Sequence, residues 1–363
     1  MWVQRLFFAL VMVALLQVYF FRRWNLRSMT YKRYFTPDIV NEGETSTMVE
    51  KIRNAKVLPI PWIRIEAQTS EKLLIGNVTK SEGKQYHRSL FSIPPYTTIT
   101  RRHKVVCPHR GYYHTKTVSI SSGDLLGIGS TKYVDLPTDT VITVYPTLVP
   151  IEDIFNMKNS FSGDTVVRRW IVEDPFMIKG VRDYNTSDPQ NRINWKATVR
   201  VGKLQVHDFD FTSDIKLMIA LNVETDEFQW ANTIDEPRAE RGISIAASIA
   251  QYTLEHGIET GLISNGMLVD DEENECVIEP RSSEGQVTEV FTILSKLTLV
   301  RRQTFQTMLA NQVAKGLTGI DYLIVTAFVD ENIEKQISLL RDGGNNVEVL
   351  FVEPVEKDGE RND

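Results

Sequence analysis

"IKLMIALNV" (215–223) carries a single charge, Lys216, in nine residues. A strand with one wet face would alternate polar and apolar residues, so a continuous apolar run fits a strand covered on both faces. The next clear segment, "PRAERGISIAASIAQYTLEHG" (237–257), has Pro near its start, Gly at its end and apolar residues at helical spacing. "IETGLIS" (258–264) then reads as a second strand. A helical stretch follows from Gln286 to about Lys315, then a strand in "DYLIVTAFV" (321–329), a helix in "ENIEKQISLLRDGG" (331–344) and a strand in "NVEVLFVEP" (346–354). Strand–helix alternation of this kind predicts a doubly wound parallel sheet over 212–354. The polar residues 355–363 read as a frayed tail.

Upstream the pattern is different. "STMVEKIRN", "WIRIEAQT", "KLLIGNVT", "HRSLFSI", "TTITRRHKVVC", "YYHTKTVSIS" and "VITVYPTLV" are short runs rich in β-branched and aromatic residues. Seven such runs between 36 and 150 predict an antiparallel β-sandwich. Pro59 and Pro61 cannot serve a central strand, which puts "VLPIPWI" at an edge or a corner. "SSGDLLGIG" (121–129) reads as a turn-rich loop. Residues 151–211 form a connector. Within it, "LQVHDFDF" (204–211) is strand-like, with a phase shift that predicts a bulge near His207 and Asp208. Its turn "DFTSD" suggests antiparallel pairing with the 215–223 strand. The expected class is therefore multidomain, all-β plus α/β.

"LFFALVMVALLQVYFF" (6–21) has one Gln and no charge, and Trp2 and Trp24 bracket it. A helix between them spans roughly 33 Å, enough to cross a bilayer. A cleaved signal peptide would carry its charge mainly in front and small residues behind. Here Arg22, Arg23, Arg27, Lys32 and Arg33 follow the segment, and only Arg5 precedes it. The expected arrangement is a transmembrane anchor (1–24), a basic juxtamembrane segment (25–35) and a cytoplasmic bulk, by the positive-inside rule. Residues 6–21 are the expected contact with the lipid bilayer.

The chain has 363 residues and a net charge of −6, so nucleic acid is not an expected partner. Its two cysteines, Cys107 and Cys276, lie far apart; Cys107 and His109 have no second ligand pair behind them, so zinc binding there is not expected. Sparse cysteine fits a reducing compartment. There is no Walker motif or Gly-rich phosphate loop, and no cofactor is expected.

"RDYNTSDPQNRINWKATVR" (182–200) remains. Asp188-Pro189 reads as the N-cap and first residue of a helix over 189–198, with Ile193 and Ala197 facing the core. Asp188 and Arg192 are neighbours on one turn, Arg182 and Tyr184 reach back over the cap, and Trp195 anchors the helix to the sheet. That describes a polar clasp. Lys196 and Arg200 could add to Arg182 in an anion site, while catalysis would need a base that only His207 is near enough in sequence to supply.

This stretch resembles the signature of the bacterial family called domain of unknown function 58, through Arg182, Tyr184, Asp188, Arg192, Ile193, Trp195 and Arg200. Ser187 stands where Gly is usual and Val199 where Ala is usual. "YKRYFTPDIVNEGET", "LPIPWIRIE" and "RGYYHTKTVSISSGDLLGI" resemble the family's upstream β region. The resemblance implies a von Willebrand factor A-like domain over 212–354. Such a domain holds Mg²⁺ through Asp-x-Ser-x-Ser and a later Asp, but Asn222, Glu224 and Asp226 stand at the first place and "TAF", from Thr326, at the second. The resemblance thus implies a degenerate metal site. It also implies a membrane-anchored, non-enzymatic interaction or assembly factor, with a MoxR-type AAA+ ATPase and other membrane proteins as partners. The competing expectations are a cation-dependent adhesion module of the envelope and, behind it, a hydrolase built on Asp188, Arg192 and His207.

Overall fold

The computed structural model describes residues 2–24, 26–76, 78–81, 84–124, 132–158, 178–185, 188, 190–209, 216–227, 235–269, 271 and 274–354. The expected loop beyond Asp124, together with Ser187, Pro189, the 210–214 turn and the 355–363 tail, lies outside them. The chain divides into two compact units, Met1–Thr147 and Leu148–Asp363.

In the first unit, α1 (Trp2–Trp24) is one continuous helix. Its Trp2–Tyr19 window has the length and composition to cross a membrane, which a signal sequence shares, and none of it is buried. Gln17, the polar residue of the apolar run, donates through Nε2 to Asp124 Oδ2 at 2.8 Å.

Ten strands follow: β1 (Met29–Thr36), β2 (Ile39–Asn41), β3 (Thr45–Asn54), β4 (Ile60–Thr69), β5 (Leu74–Ile75), β6 (Val78–Ser81), β7 (Lys84–Ile93), β8 (Thr98–Val106), β9 (Gly111–Ser122) and β10 (Lys132–Tyr145). They form a four-stranded sheet, β1-β3-β8-β5, and a six-stranded one, β2-β10-β9-β4-β7-β6. All neighbours run antiparallel except β2 and β10. Strand alternation sends one side chain in two inward. In β3 that set is Ser46, Met48, Glu50, Ile52 and Asn54. Residues from both sheets close two apolar clusters, one around Met48, Val105, Ile142 and Val144, the other around Ile52, Ile63, Ile65 and Ile120. Each fully buried Ile contributes about 1.5–3 kcal/mol.

Two sequence expectations are corrected here. β1 takes Met29–Thr36 into the sandwich, where they pair with β3 from Asn54 to Thr47. Pro61 lies in β4, which is central rather than at an edge. It is tolerated because the β4–β7 register breaks between Ile60 and Ile63, and pairing to β9 begins only at Ile63, so no ladder donor is missed.

The second unit contains α2 (Ile151–Lys158), β11 (Ile178–Asp183), a 3-10 turn (Gln190–Arg192), α3 (Trp195–Val201), β12 (Gln205–Phe209), β13 (Lys216–Leu221), α4 (Glu236–Glu255), β14 (Glu259–Ser264), β15 (Gly266–Leu268), β16 (Cys276–Arg281), α5 (Gln286–Lys296), β17 (Leu297–Arg301), α6 (Phe305–Lys315), β18 (Ile320–Thr326), α7 (Glu331–Asp342) and β19 (Asn346–Phe351). The main sheet runs β16-β14-β13-β18-β19. Four strands are parallel and β16 is antiparallel to β14. β13 is central and Leu217–Leu221 are all buried, as its continuous apolar run requires. Met218 and Ala220 pack with Phe305 and Leu309 of α6 and Ile333 and Ile337 of α7. On the opposite face Gly242 brings α4 within van der Waals reach of Leu221, Val325 and Val352. Asp235 caps α4, accepting from Arg238 N at 3.2 Å. A Cβ at Gly261 would collide with Ile278 O, so β16 can lie against β14 only with glycine there.

The stretch 286–315 is not one helical run. "LTLVR" forms β17, which pairs with β15, because a β-branched and leucine run favours extended backbone when a partner strand is present. β12 does not pair with β13; it pairs with β11, and β13 is already flanked by β14 and β18. The expected irregularity near His207 and Asp208 exists on the partner: Ile178 faces Phe209 and Gly180 faces Asp208, which leaves Lys179 extra.

Candidate functional site

Three groups of polar residues stand out. The first is the signature hairpin. β11 and β12 pair with Val181 opposite His207, Arg182 opposite Val206 and Asp183 opposite Gln205. Arg182 meets Asp188 in a bidentate pair, Nη1 to Oδ2 and Nη2 to Oδ1, both at 2.7 Å. Asn185 N donates to the same carboxylate at 2.8 Å. The Arg182 hydrogen bonds and the Asn185 amide hold the Asp188 carboxyl down at about 2. Tyr184 joins the hairpin through its amide, which donates to Leu204 O at 3.0 Å.

The clasp between Arg182 and Asp188 therefore forms, but the helix is elsewhere. Asp188 is not its cap. α3 begins at Trp195, and Asn194 caps it by accepting from Ala197 N at 2.9 Å. Gly202, with φ of 73°, ends it by donating to Thr198 O at 2.8 Å. Asp188 is used by Arg182 and the Asn185 amide instead, and residues 190–192 take a 3-10 turn. Ile193 bridges to Val206, and neither it nor Ala197 is fully buried. α3 buries none of its residues. Trp195 is 65% exposed and Val199 84%. Trp195 is thus presented, not used as an anchor, and Arg200 lies exposed on the last turn.

The second group lies at the C-terminal ends of β13, β14 and β18. Asn222 Nδ2 donates to Thr326 Oγ1 at 3.0 Å, and Asn265 Nδ2 donates to Asn222 Oδ1 and Glu224 Oε2, both at 3.1 Å. Glu224 pairs with Arg301 and also accepts from Phe305 N, the first residue of α6, at 2.9 Å. The positive charge at this carboxylate comes from a guanidinium and a helix N-terminus. Asp226 is exposed. Of the four expected metal positions the fold unites Asn222, Glu224 and Thr326; Asn265 and Arg301 complete the group. Sequence spacing could not reveal those two, since they come from the end of β14 and from the unexpected β17.

The third group was not anticipated. Tyr31, Arg33, Glu50, His87, Arg101 and His103 lie within the sandwich. Glu50 and His87 are 0% and 1% exposed. Tyr31 OH donates to Glu50 Oε1 at 2.8 Å, and Arg33 Nη2 lies 3.8 Å from that oxygen. Glu50 Oε2 faces His103 Nε2 at 3.3 Å and His87 Nε2 at 3.9 Å. Burial alone would raise the Glu50 carboxyl, but the His103 ring, Arg33 and Tyr31 outweigh it and hold it at about 2. Burial pushes His87 down to about 4. Burial also raises both thiols, Cys107 to about 11 and Cys276 to about 12, which leaves them unreactive.

These features define a class: a two-unit, mixed α/β protein with an apolar N-terminal helix, a β-sandwich, a largely parallel sheet and an exposed signature hairpin. Residues 180–359 match the family model described as "Protein of unknown function DUF58", and through this region the chain belongs to that family. No curated protein matches the chain. Among solved structures it is similar to a non-cellulosomal cohesin from the hyperthermophilic archaeon Archaeoglobus fulgidus, at 16% identity over 36% of this chain and 98% of that one, with a TM-score of 0.23. It is also similar to the CARDB domain of a Pyrococcus furiosus protein, at 13% identity over 30% and 93%, with a TM-score of 0.19.

Proposed function

We propose that this chain is a non-enzymatic, membrane-anchored interaction or assembly factor that works with a MoxR-type AAA+ ATPase. The observation that carries this reading is the presentation of Trp195. An aromatic on the first turn of α3, with Val199 four residues on along the same face, is exposed on a hairpin stiffened by the Arg182–Asp188 pair. Tryptophan on a rigid exposed element is the usual energetic centre of a protein interface. The partner's identity follows from the family resemblance. In this reading α1 serves as the anchor, and the basic residues after its apolar run favour a cytoplasmic bulk within reach of such an ATPase.

The main sheet serves in this reading as a von Willebrand A-like domain that works without a cation. The Arg301–Glu224 pair and the Asn222–Thr326–Asn265 bonds support that, because they already satisfy the strand-end groups a cation would bind. They weigh against the adhesion alternative. The test is capture from native membranes with the full chain as bait. The ATPase should co-purify with the wild type and be lost with Trp195→Ala. Capture of the ATPase at equal yield by both would refute the assignment of the surface.

A further inference from the structure

We propose that Glu50, His87 and His103 form a buried transition-metal site that joins the two sheets of the sandwich, with Zn²⁺ as its fitting probe. The inference starts from a break in the core. On β3, Glu50 stands between Met48 of one apolar cluster and Ile52 of the other. On β1, Arg33 stands between Phe35 and Tyr31 of the same two clusters, and on β8, Arg101 and His103 stand between Val105 and Ile99. A polar layer thus cuts the sandwich core in two. Buried polar groups cost stability unless partnered, and here several are not. Glu50 Oε2 and His103 Nε2 lie 3.3 Å apart with no well-formed hydrogen bond, and His87 Nδ1 has no partner, while His87 Nε2, the nitrogen that faces Glu50, has Ser89 Oγ at 3.4 Å.

The geometry says what would satisfy Glu50 Oε2 and His103 Nε2, with His87 Nε2 as the third donor. One ligand atom from each of Glu50, His87 and His103 lies within 4.8 Å of the others. Tetrahedral zinc with bonds of about 2.0–2.1 Å needs donors roughly 3.3 Å apart. The His103 separation from Glu50 Oε2 is already 3.3 Å, and His87, at 3.9 Å, needs a small movement. Glu50 is also prepared as a ligand. Its Oε1 is held by Tyr31 and Arg33, so Oε2 alone is turned to the imidazoles. Such outer partners orient metal ligands. Two imidazoles and a carboxylate select zinc or another first-row transition ion over Mg²⁺ or Ca²⁺, which want oxygen. Arg33 Nη1 and Nη2 and Arg101 Nη1 make no hydrogen bond, Arg33 Nη2 having only its ion pair with Glu50 Oε1 at 3.8 Å, and they would favour an anion such as hydroxide or chloride in the fourth position. Glu50 and His103 come from the four-stranded sheet and His87 from the six-stranded one, so the ion would act as a staple between them.

The experiment uses the untagged full chain in detergent, stripped with EDTA and then given zinc chloride. One zinc per chain should survive desalting, and the melting temperature should rise by several degrees and fall again with EDTA. Co²⁺ should give the visible absorption of a tetrahedral site, and Mg²⁺ should do nothing. His103→Gln, whose side chain is the most accessible of the three, should weaken zinc at least about tenfold while the stripped variant melts close to stripped wild type. No retained zinc in folded wild type would overturn the proposal. So would uptake unchanged by His103→Gln, which would put the ion elsewhere. Stabilisation of the stripped wild type by phosphate alone, as large as that by zinc, would assign the layer to an anion and equally overturn it.

Discussion

Trp195, 65% exposed, lends α3 little packing. Its replacement by alanine should shift stability by no more than about 0.5 kcal/mol, as surface changes do, and should weaken partner binding by about 2 kcal/mol or more, roughly thirtyfold, if it is the centre of an interface. Thermal melts and a binding titration on one preparation check both figures. A loss of several kcal/mol in the melt would show the ring is buried after all. His87 is the opposite case. Burial lowers it from its ordinary 6.5 to about 4, so between those values the unfolded chain binds the extra proton. Its contribution is whole above pH 6.5 and is lost as pH falls through 4, a difference of about 3 kcal/mol. Glu50, held at about 2, adds a loss of the same sign between pH 4.5 and 2. Metal-stripped wild type should therefore lose melting temperature more steeply from pH 6.5 to 4 than His87→Gln. Parallel curves would remove His87 from the account. Trp195 looks like an anchor because large aromatics usually are buried. The charges of the sandwich were legible in principle, since Glu50 in Met48-x-Glu50-x-Ile52 and Arg33 in Tyr31-x-Arg33-x-Phe35 sit in the apolar phase of their strands. Which of them meet across the two sheets depends on pairing that no local pattern contains.

At the level of elements, β13, α4 and β14 could be read directly, because a doubly covered strand and a Pro-started, Gly-ended helix each leave a strong periodic mark. β17 could not. Five residues between two helices carry no period of their own, and they are extended because β15 lies beside them. That strand matters for the strand-end network, since it ends at Arg301, which neutralises Glu224. Glu224→Gln should cost roughly 3 kcal/mol, because it leaves a half-buried guanidinium without its carboxylate. Urea melts of wild type and variant measure it, and a change under 1 kcal/mol would mean the pair is incidental. The same network predicts that millimolar Mg²⁺ leaves the melting temperature unchanged. A site filled at a hundred times its dissociation constant would add about 2.7 kcal/mol, so a clear shift, abolished by Asp226→Ala, would restore the cation-dependent reading.

At the scale of the whole molecule, α1 has the length of a bilayer crossing, and five basic residues between 22 and 33 follow its apolar run 6–21. A reporter active only outside the cytoplasm, fused after Asp363, should stay silent; strong activity would reverse the orientation and remove a cytoplasmic ATPase from reach. The most direct test of the central claim, that the signature hairpin is a docking surface, is quantitative capture from native membranes with full-length wild type and Trp195→Ala at matched expression. The account predicts that the two proteins melt together and that only the wild type retains the MoxR-type ATPase. A Trp195→Ala protein that retains the ATPase at wild-type level, or one that loses it only by unfolding, would contradict the claim.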